Sequence, residues 1–307
     1  MQIISASYRT DIPAFYGDWF MQRIREGYVR YKNPYGPQIV TVSLQPEDVH
    51  AIVFWSKNYG PFMKHLKELE GSGHDFYFHY TITAQPRLFE DRVPGSKITI
   101  ESFRELSRRF GPTYVQWRYD PIIFSPLTPP QFHRDTFTEL VQDLAGYTHR
   151  CYFSFVDLYA KVRRNTRQLP EDTQLYDPTD EEKLSLALEL ADIATKFNIA
   201  LYTCSEDFAA VGPIRRGSCV DVDILDDLFP EKKRKVKLSE NRGQCGCYDN
   251  RDIGAYDTCP HGCIYCYAVL NRPVALKRYK QHKVVADSIL PTEPNQPPEE
   301  DAQLSLL

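Results

Sequence analysis

Between Thr258 and Ala268 the chain reads TCPHGCIYCYA, placing Cys259, Cys263 and Cys266 within eight residues. Thiolates are soft donors that select zinc, copper(I) and iron-sulfur clusters, so a C-x3-C-x2-C run on one loop is first of all a metal motif. It is neither the paired halves of a zinc ribbon nor the C-x2-C-x2-C-x3-C run of bacterial ferredoxins. Three thiolates on a short loop suit three corners of a [4Fe-4S] cube and leave the fourth iron open to a small molecule. Structural zinc, with Cys247 as a fourth ligand, is the alternative. Cys204, Cys219, Cys245 and Cys247 make a second, looser set. They suit a second iron-sulfur cluster, a tetrahedral zinc, or no common metal at all. Cys151 opens an apolar run and reads as a small buried hydrophobe.

A second concentration of chemistry lies where apolar runs end. The first run leads into YRTDIP with Arg9 and Asp11, the second into WSKN with Lys57 and Asn58, and the fourth into WRYDPI with Arg118 and Asp120. The fifth reaches Asp157, and the sixth reaches Cys204 and Glu206. Parallel α/β folds bind ligands beyond the carboxyl ends of their strands. A ring of Arg, Lys, Asn and Asp there binds carboxylate or phosphate and supplies a general acid. Taken singly, each residue reads equally well as a solvated ion pair or a helix cap. Arg118 and Asp120 lead the set, because Pro121 favours an extended Asp120 and so helps to aim it.

The elements that must position these groups are legible as alternation. Strand-like runs cover Ile3 to Ser7, Ala51 to Trp55, Phe76 to Thr83, Tyr114 to Tyr119, Cys151 to Asp157 and Ala200 to Cys204. Most are too continuous for a strand wet on one face, which points to buried parallel strands. Helical spacing fills the gaps, at Phe103, Leu106 and Phe110, at Phe137 to Leu144, and at Leu186 to Phe197 behind a capping box of Thr179 and Glu182. Shorter patterns near Phe15 to Ile24 and Phe62 to Leu69 complete the series. The reading is an α/β fold, a partial (β/α) barrel of about six parallel strands with a doubly wound sheet as the alternative. Residues 1–206 form its core, 207–286 a cysteine-rich region on the barrel mouth, and 287–307 a Pro- and Glu-rich tail expected to be disordered.

Composition narrows the class. The chain has 307 residues and a formal net charge of -4, against a mainly electrostatic nucleic-acid binder. The opening MQIISASYRT lacks a signal peptide's basic and apolar regions, and no run approaches a membrane span, so a soluble, cytoplasmic protein is expected with no membrane partner. In that reducing compartment seven cysteines beyond residue 200 favour metal over disulfides. The basic run from Glu231 to Lys237 reads as a solvated loop.

CPHGCIYC, with aromatic Tyr265 before the last cysteine, resembles the motif of radical S-adenosylmethionine (SAM) enzymes. The longer HGCIYCYA is similar to the branch that includes spore photoproduct lyase. Across nearly the whole chain, RTDIP, RYDP and the terminal cysteines resemble a bacterial family of domains of unknown function with a radical-SAM-like cluster at its end. The resemblance implies that Cys259, Cys263 and Cys266 ligate a [4Fe-4S] cluster and that Tyr265 lies by the adenine of SAM; among the strand-end residues, Asn58 and Asp157 are expected as further cofactor contacts. Arg118, Asp120, Lys57, Asp11 and Arg9 would then serve the substrate. It also implies a one-electron donor such as a flavodoxin or ferredoxin. Radical SAM enzymes carry this loop after the first barrel strand, whereas here it follows six strand-helix units, so a circularly permuted arrangement is expected. Two other functions fit the residues: repair of a nucleic acid, with Arg163, Arg164 and Arg167 on phosphates, and a non-catalytic iron-sulfur or zinc protein.

Overall fold

The computed structural model describes residues 1–204, 211–232, 234–239 and 246–292. Its strands are β1 (Gln2–Ala6), β2 (Tyr28–Lys32), β3 (Ile39–Ser43), β4 (Val49–Ser56), β5 (Phe76–Thr81), β6 (Val115–Ile122), β7 (Arg150–Phe155), β8 (Ala200–Thr203), β9 (Arg215–Arg216) and β10 (Asn250–Asp252). Its helices are α1 (Ile12–Phe15), α2 (Gly17–Glu26), α3 (Leu66–Glu70), α4 (Ser96–Phe110), α5 (Pro130–Leu144), α6 (Ala160–Thr166), α7 (Asp180–Thr195), α8 (Val222–Leu228) and α9 (Arg272–Gln281). Among the described residues eight strands form one sheet, in the order β10-β1-β4-β5-β6-β7-β8-β9. Every neighbouring pair in it is parallel, while β2 and β3 form a separate antiparallel pair.

The six apolar runs are β1, β4, β5, β6, β7 and β8, side by side in chain order. Side chains alternate between the faces of a strand. Ile4, Ile52, Phe54, Phe78, Trp117 and Phe153 therefore join the large core that also takes Phe103 of α4, Phe137 of α5 and Leu190 of α7. On the opposite face Ile3, Ala51, Val53 and Tyr77 pack against Val220 and, from α8, Ile224 and Leu225. Burial on both faces is why these strands read as unbroken hydrophobic runs. Each step from β4 to β8 moves the same way along the sheet, so right-handed crossovers leave their helices on one face. The capping box at the start of α7 forms as expected, Thr179 and Glu182 each bonding the other's backbone N–H.

The C-terminal segment supplies what the sequence pattern does not reveal. After β9 at one edge, the chain crosses the face opposite the helices through α8 and returns as β10 beside β1, pairing Ile4 with Arg251 and Ser5 with Asp252. The cysteine loop follows, and then α9, after which His282 packs edge-on against Tyr16 and Trp19. Just beyond, Arg30 N–H donates to the Asp287 carbonyl at 2.8 Å, and Ser288 and Ile289 are buried. Residues 293–307 of the expected tail lie outside the described residues. Among the described residues no helix is long and apolar enough to cross a membrane.

Candidate thiol-rich site at the carboxyl ends of the strands

The loop from Asp257 to Leu270 is closed at its base. Asp257 N–H donates to the Ala268 carbonyl at 2.9 Å, and its carboxylate accepts from the amides of Leu270 and Asn271 at 2.5 and 2.9 Å. Gly262 sits at φ +76, a backbone conformation that other L residues rarely adopt, so the turn between Cys259 and Cys263 favours glycine. Residues 89–92 strap the loop on one side: Ile264 N–H donates to the Phe89 carbonyl at 3.1 Å and Arg92 N–H to the His261 carbonyl at 3.0 Å. On the other side the Tyr16 hydroxyl donates to the Thr258 carbonyl at 2.7 Å.

Asp11 is the brace between this loop and the sheet. Its buried carboxylate accepts from the amides of Ala14 (3.0 Å) and Lys57 (2.8 Å), the Ser56 hydroxyl (2.7 Å) and His261 Nε2 (2.7 Å). Asp11 thus ties the ends of β1 and β4 to the cysteine loop, with its lone pairs already engaged. The three cysteines are neither fully buried nor exposed as residues. Desolvation pushes all three above the ordinary thiol range, helped at Cys259 by Asp11 and Cys266. Donors aimed at the sulfurs oppose the rise. They are the amides of His261 and Asp11 at Cys259, those of Ala268 and Val269 at Cys266, and the Lys57 ammonium at Cys263.

Lys57 is paired with Glu90 at 2.8 Å. The same Glu90 oxygen accepts from Thr83 at 3.1 Å and from the Tyr265 hydroxyl. Burial works against the Lys57 charge, but Glu90 and Cys263 outweigh it and hold the ammonium above its usual range. Burial likewise opposes the Glu90 carboxylate, and Lys57 overcomes it. Tyr265 lies in a small apolar cluster with Phe89, Ile123 and Val162, and Lys57 Nζ stands 5.8 Å from its ring centroid. Glu90 also borders a cavity of about 220 Å³ together with Thr81, Thr83 and Gln85 at the end of β5.

Arg118 and Asp120 meet a different set of thiols. Arg118 Nη1 donates to Cys219 Sγ at 3.0 Å, and its Nε donates to the Asp120 carboxylate at 3.0 Å. Asp120 accepts from Ser154 as well. The guanidinium lies over the rings of Trp55 (5.1 Å) and Tyr152 (5.8 Å). Burial disfavours its charge, but Asp120, Cys219 and Cys204 hold it well above the ordinary range. Cys204 Sγ stands 3.2 Å from Cys219 Sγ, and Cys247 Sγ accepts from the Cys219 amide at 3.2 Å. The contact with Cys204 lowers the pKa of Cys219, yet the bond to Cys247 and burial leave it pushed up to about 12. Three members of the looser cysteine set are therefore adjacent in space. Cys245 and Glu206 lie outside the described residues.

A family model, described as Domain of unknown function (DUF1848), matches residues 3–268, from β1 through the whole cysteine motif. The chain belongs to the DUF1848 family. No curated protein sequence matches it.

The other expected residues of this DUF1848 chain are spread around the same end of the sheet. Arg9 is stacked between Tyr8 (5.7 Å) and Tyr256 (5.4 Å). Its charge faces buried Asp252, which burial pushes up and Arg9 pulls down. Asn58 spends its side-chain oxygen on the Gly60 amide at 3.1 Å, and exposed Asp157 accepts from the Tyr159 hydroxyl at 2.5 Å. Arg163, Arg164 and Arg167 are exposed around α6, and Arg164 donates to the Leu270 carbonyl at 2.8 Å, beside the cysteine loop. Among the described residues no three His, Cys, Asp or Glu side chains are already gathered so as to hold one metal ion. A four-iron cube makes a different demand, since its thiolates bind separate irons.

Sequence reasoning missed Glu90, His261 and Asp252. Glu90 lies in a loop, with no strand end to mark it. His261 was visible inside CPHGC but had no partner until Asp11 was placed beside it. Asp252 ends a three-residue polar strand too short to show a pattern.

Proposed function

We propose that the DUF1848 chain is a radical SAM-type enzyme acting on a substrate held at the carboxyl ends of the sheet. One observation carries the reading. The cysteine loop is late in the sequence, but it follows β10, which stands at the sheet edge beside β1, and it precedes α9. In spatial order β10, the loop and α9 are the first strand-loop-helix unit. That is the position the loop occupies in radical SAM enzymes, as a circular permutation of a partial (β/α) barrel would arrange it.

Cys259, Cys263 and Cys266 would hold a [4Fe-4S] cluster, and the amides aimed at Cys259 and Cys266 suit thiolates that must stay deprotonated when metal is bound. Bound with SAM, such a cluster supplies one-electron cleavage of the sulfonium and hence a carbon-centred radical able to take hydrogen from a substrate. Asp11 and His261 keep the loop in register with the sheet. The Lys57–Glu90–Tyr265 group places a positive charge beside Cys263, and Phe89, Ile123 and Val162 keep water from that side. Arg118, Asp120 and Ser154 form a polar row where a substrate's hydrogen-bonding groups would be oriented. The electron comes from a donor such as a flavodoxin or ferredoxin.

The test is anaerobic reconstitution with iron and sulfide, followed by SAM and a strong reductant. Release of 5'-deoxyadenosine that disappears in Cys263→Ala is the expected result. A colourless, zinc-loaded chain that leaves SAM intact would refute the reading and favour a non-catalytic metal protein.

A further inference from the structure

Cys204, Cys219 and Cys247 come from three separated segments, and each is fixed to the sheet or to another segment of the group. Cys204 N–H donates to the Phe153 carbonyl at 2.9 Å, extending β8 beside β7. The Cys219 carbonyl is gripped by the Tyr77 hydroxyl at 2.8 Å and by His79 Nε2 at 2.6 Å, both from β5. Cys247 is bracketed by two bonds to the crossing strand of chain. The Ser218 hydroxyl donates to the Gly246 carbonyl at 2.7 Å, and Tyr248 N–H to the Val220 carbonyl at 3.0 Å. Cys204 and Cys219 are 15 residues apart and Cys247 lies 28 beyond Cys219, so only the return of the chain across the sheet brings these thiols together.

Two features separate this group from ordinary buried cysteines, which pack as small hydrophobes. The sulfurs of Cys204 and Cys219 touch each other at 3.2 Å. Hydrogen-bond donors also converge on them, Arg118 Nη1 on Cys219 Sγ at 3.0 Å and the Cys219 amide on Cys247 Sγ at 3.2 Å. A guanidinium and an amide directed at sulfur stabilise thiolate, the form that binds metal. Cys151, buried in the helix-side core, has no second thiol against it among the described residues; its sulfur donates a long contact to the Tyr152 carbonyl at 3.9 Å and receives the Tyr119 amide.

We infer that Cys204, Cys219 and Cys247, adjacent but not already spaced to hold a single ion, close on a thiophilic centre that is either a zinc ion or an iron-sulfur cluster and so form a second metal site. Metal binding exchanges the thiol protons for metal-sulfur bonds. It pins the segment that crosses from β9 to β10, and so holds in place the strand that leads into the cysteine loop. The site stands independently of the catalytic reading, because it uses none of the loop thiols.

The test uses the full-length chain with Cys259, Cys263 and Cys266 all replaced by Ala, prepared metal-free under a reductant and titrated with cobalt(II). A thiolate-to-cobalt charge-transfer band that saturates near one equivalent is expected. It should vanish in Cys204→Ser, Cys219→Ser or Cys247→Ser and persist in Cys151→Ser. Absence of a saturable band, or a band indifferent to all three changes, overturns the site. The unaltered chain, purified anaerobically, gives a second measure that does not depend on variants folding. Cys204, Cys219 and Cys247 should resist alkylation until a chelator is added, with release of zinc in one case or of iron and acid-labile sulfide in the other. Protection that a chelator does not change, or a Cys204-Cys219 disulfide in that material, overturns the site equally.

Discussion

The two thiol groups are built in opposite ways. Cys259, Cys263 and Cys266 share one loop whose shape is set locally, by Gly262 and by the Asp257 closure, and which is anchored to the sheet through Asp11. Cys204, Cys219 and Cys247 share nothing in sequence and are assembled by strands β5, β7 and β8 with the chain that crosses them. A contiguous motif advertises its chemistry in the sequence. An assembled one acquires its chemistry only when the sheet forms, so each group should respond to its own supports and not to the other's.

The largest effect should come from the loop itself. In Cys263→Ala, reductive cleavage of SAM falls to background, while alkylation protection at Cys219 is unchanged. Loss of both together would break the distinction between the groups. Next is Asp11→Ala, which strips four donors, His261 included, of their acceptor. Leaving a buried donor without its acceptor costs about 1 to 3 kcal/mol apiece, and urea unfolding should show it, with iron retention at the loop thiols reduced.

The frame common to both groups has its own control. His133 is buried in the helix-side core, where Nε2 donates to the Ile123 carbonyl at 2.9 Å and Nδ1 accepts from the Tyr119 hydroxyl at 2.9 Å, so it is held neutral. Burial lowers its pKa from 6.5 to about 4. The unfolded chain therefore binds the proton first, so His133's contribution is intact above about pH 6.5 and drains away as pH falls toward 4. The loss amounts to about 3 kcal/mol. His133→Gln should flatten the fall in denaturant midpoint over that range, and both thiol groups should lose protection together in the wild type.

Smallest is Tyr77→Phe. It leaves the Asp221 amide without its acceptor and the Cys219 carbonyl with His79 alone, a loss of about 1 to 2 kcal/mol. Faster alkylation of Cys219 with unchanged cleavage of SAM would sharpen the comparison; slower SAM cleavage would mean the groups communicate.

Much of this arrangement was legible before any fold was known. Six strands follow from apolar continuity, because burial on both faces leaves no polar alternation to blur them. The rule that ligands meet the carboxyl ends of strands picked out Asp11, Lys57, Arg118 and Asp120, which do gather at that end. In the fold Asp11 also braces the loop, and the Asn58 side chain closes a turn. The hairpin of β2 and β3 was overlooked although Val29 and Tyr31 are buried between exposed Tyr28 and Lys32, the alternation of a half-buried strand. β9 and β10 carry no such mark, with two and three polar residues.

By itself the sequence determined the α/β alternation, the three-thiol loop and the charged strand ends, because each rests on spacing within a few residues. Only the tertiary structure decided that the loop belongs beside β1, that Glu90 meets Lys57 and Tyr265, and that Arg118 faces Cys219 rather than the loop thiols. Those outcomes depend on which distant segments pair at the sheet edge and cross its face. Pairings of that kind are selected by the burial and hydrogen bonding of the whole fold, which no local spacing encodes.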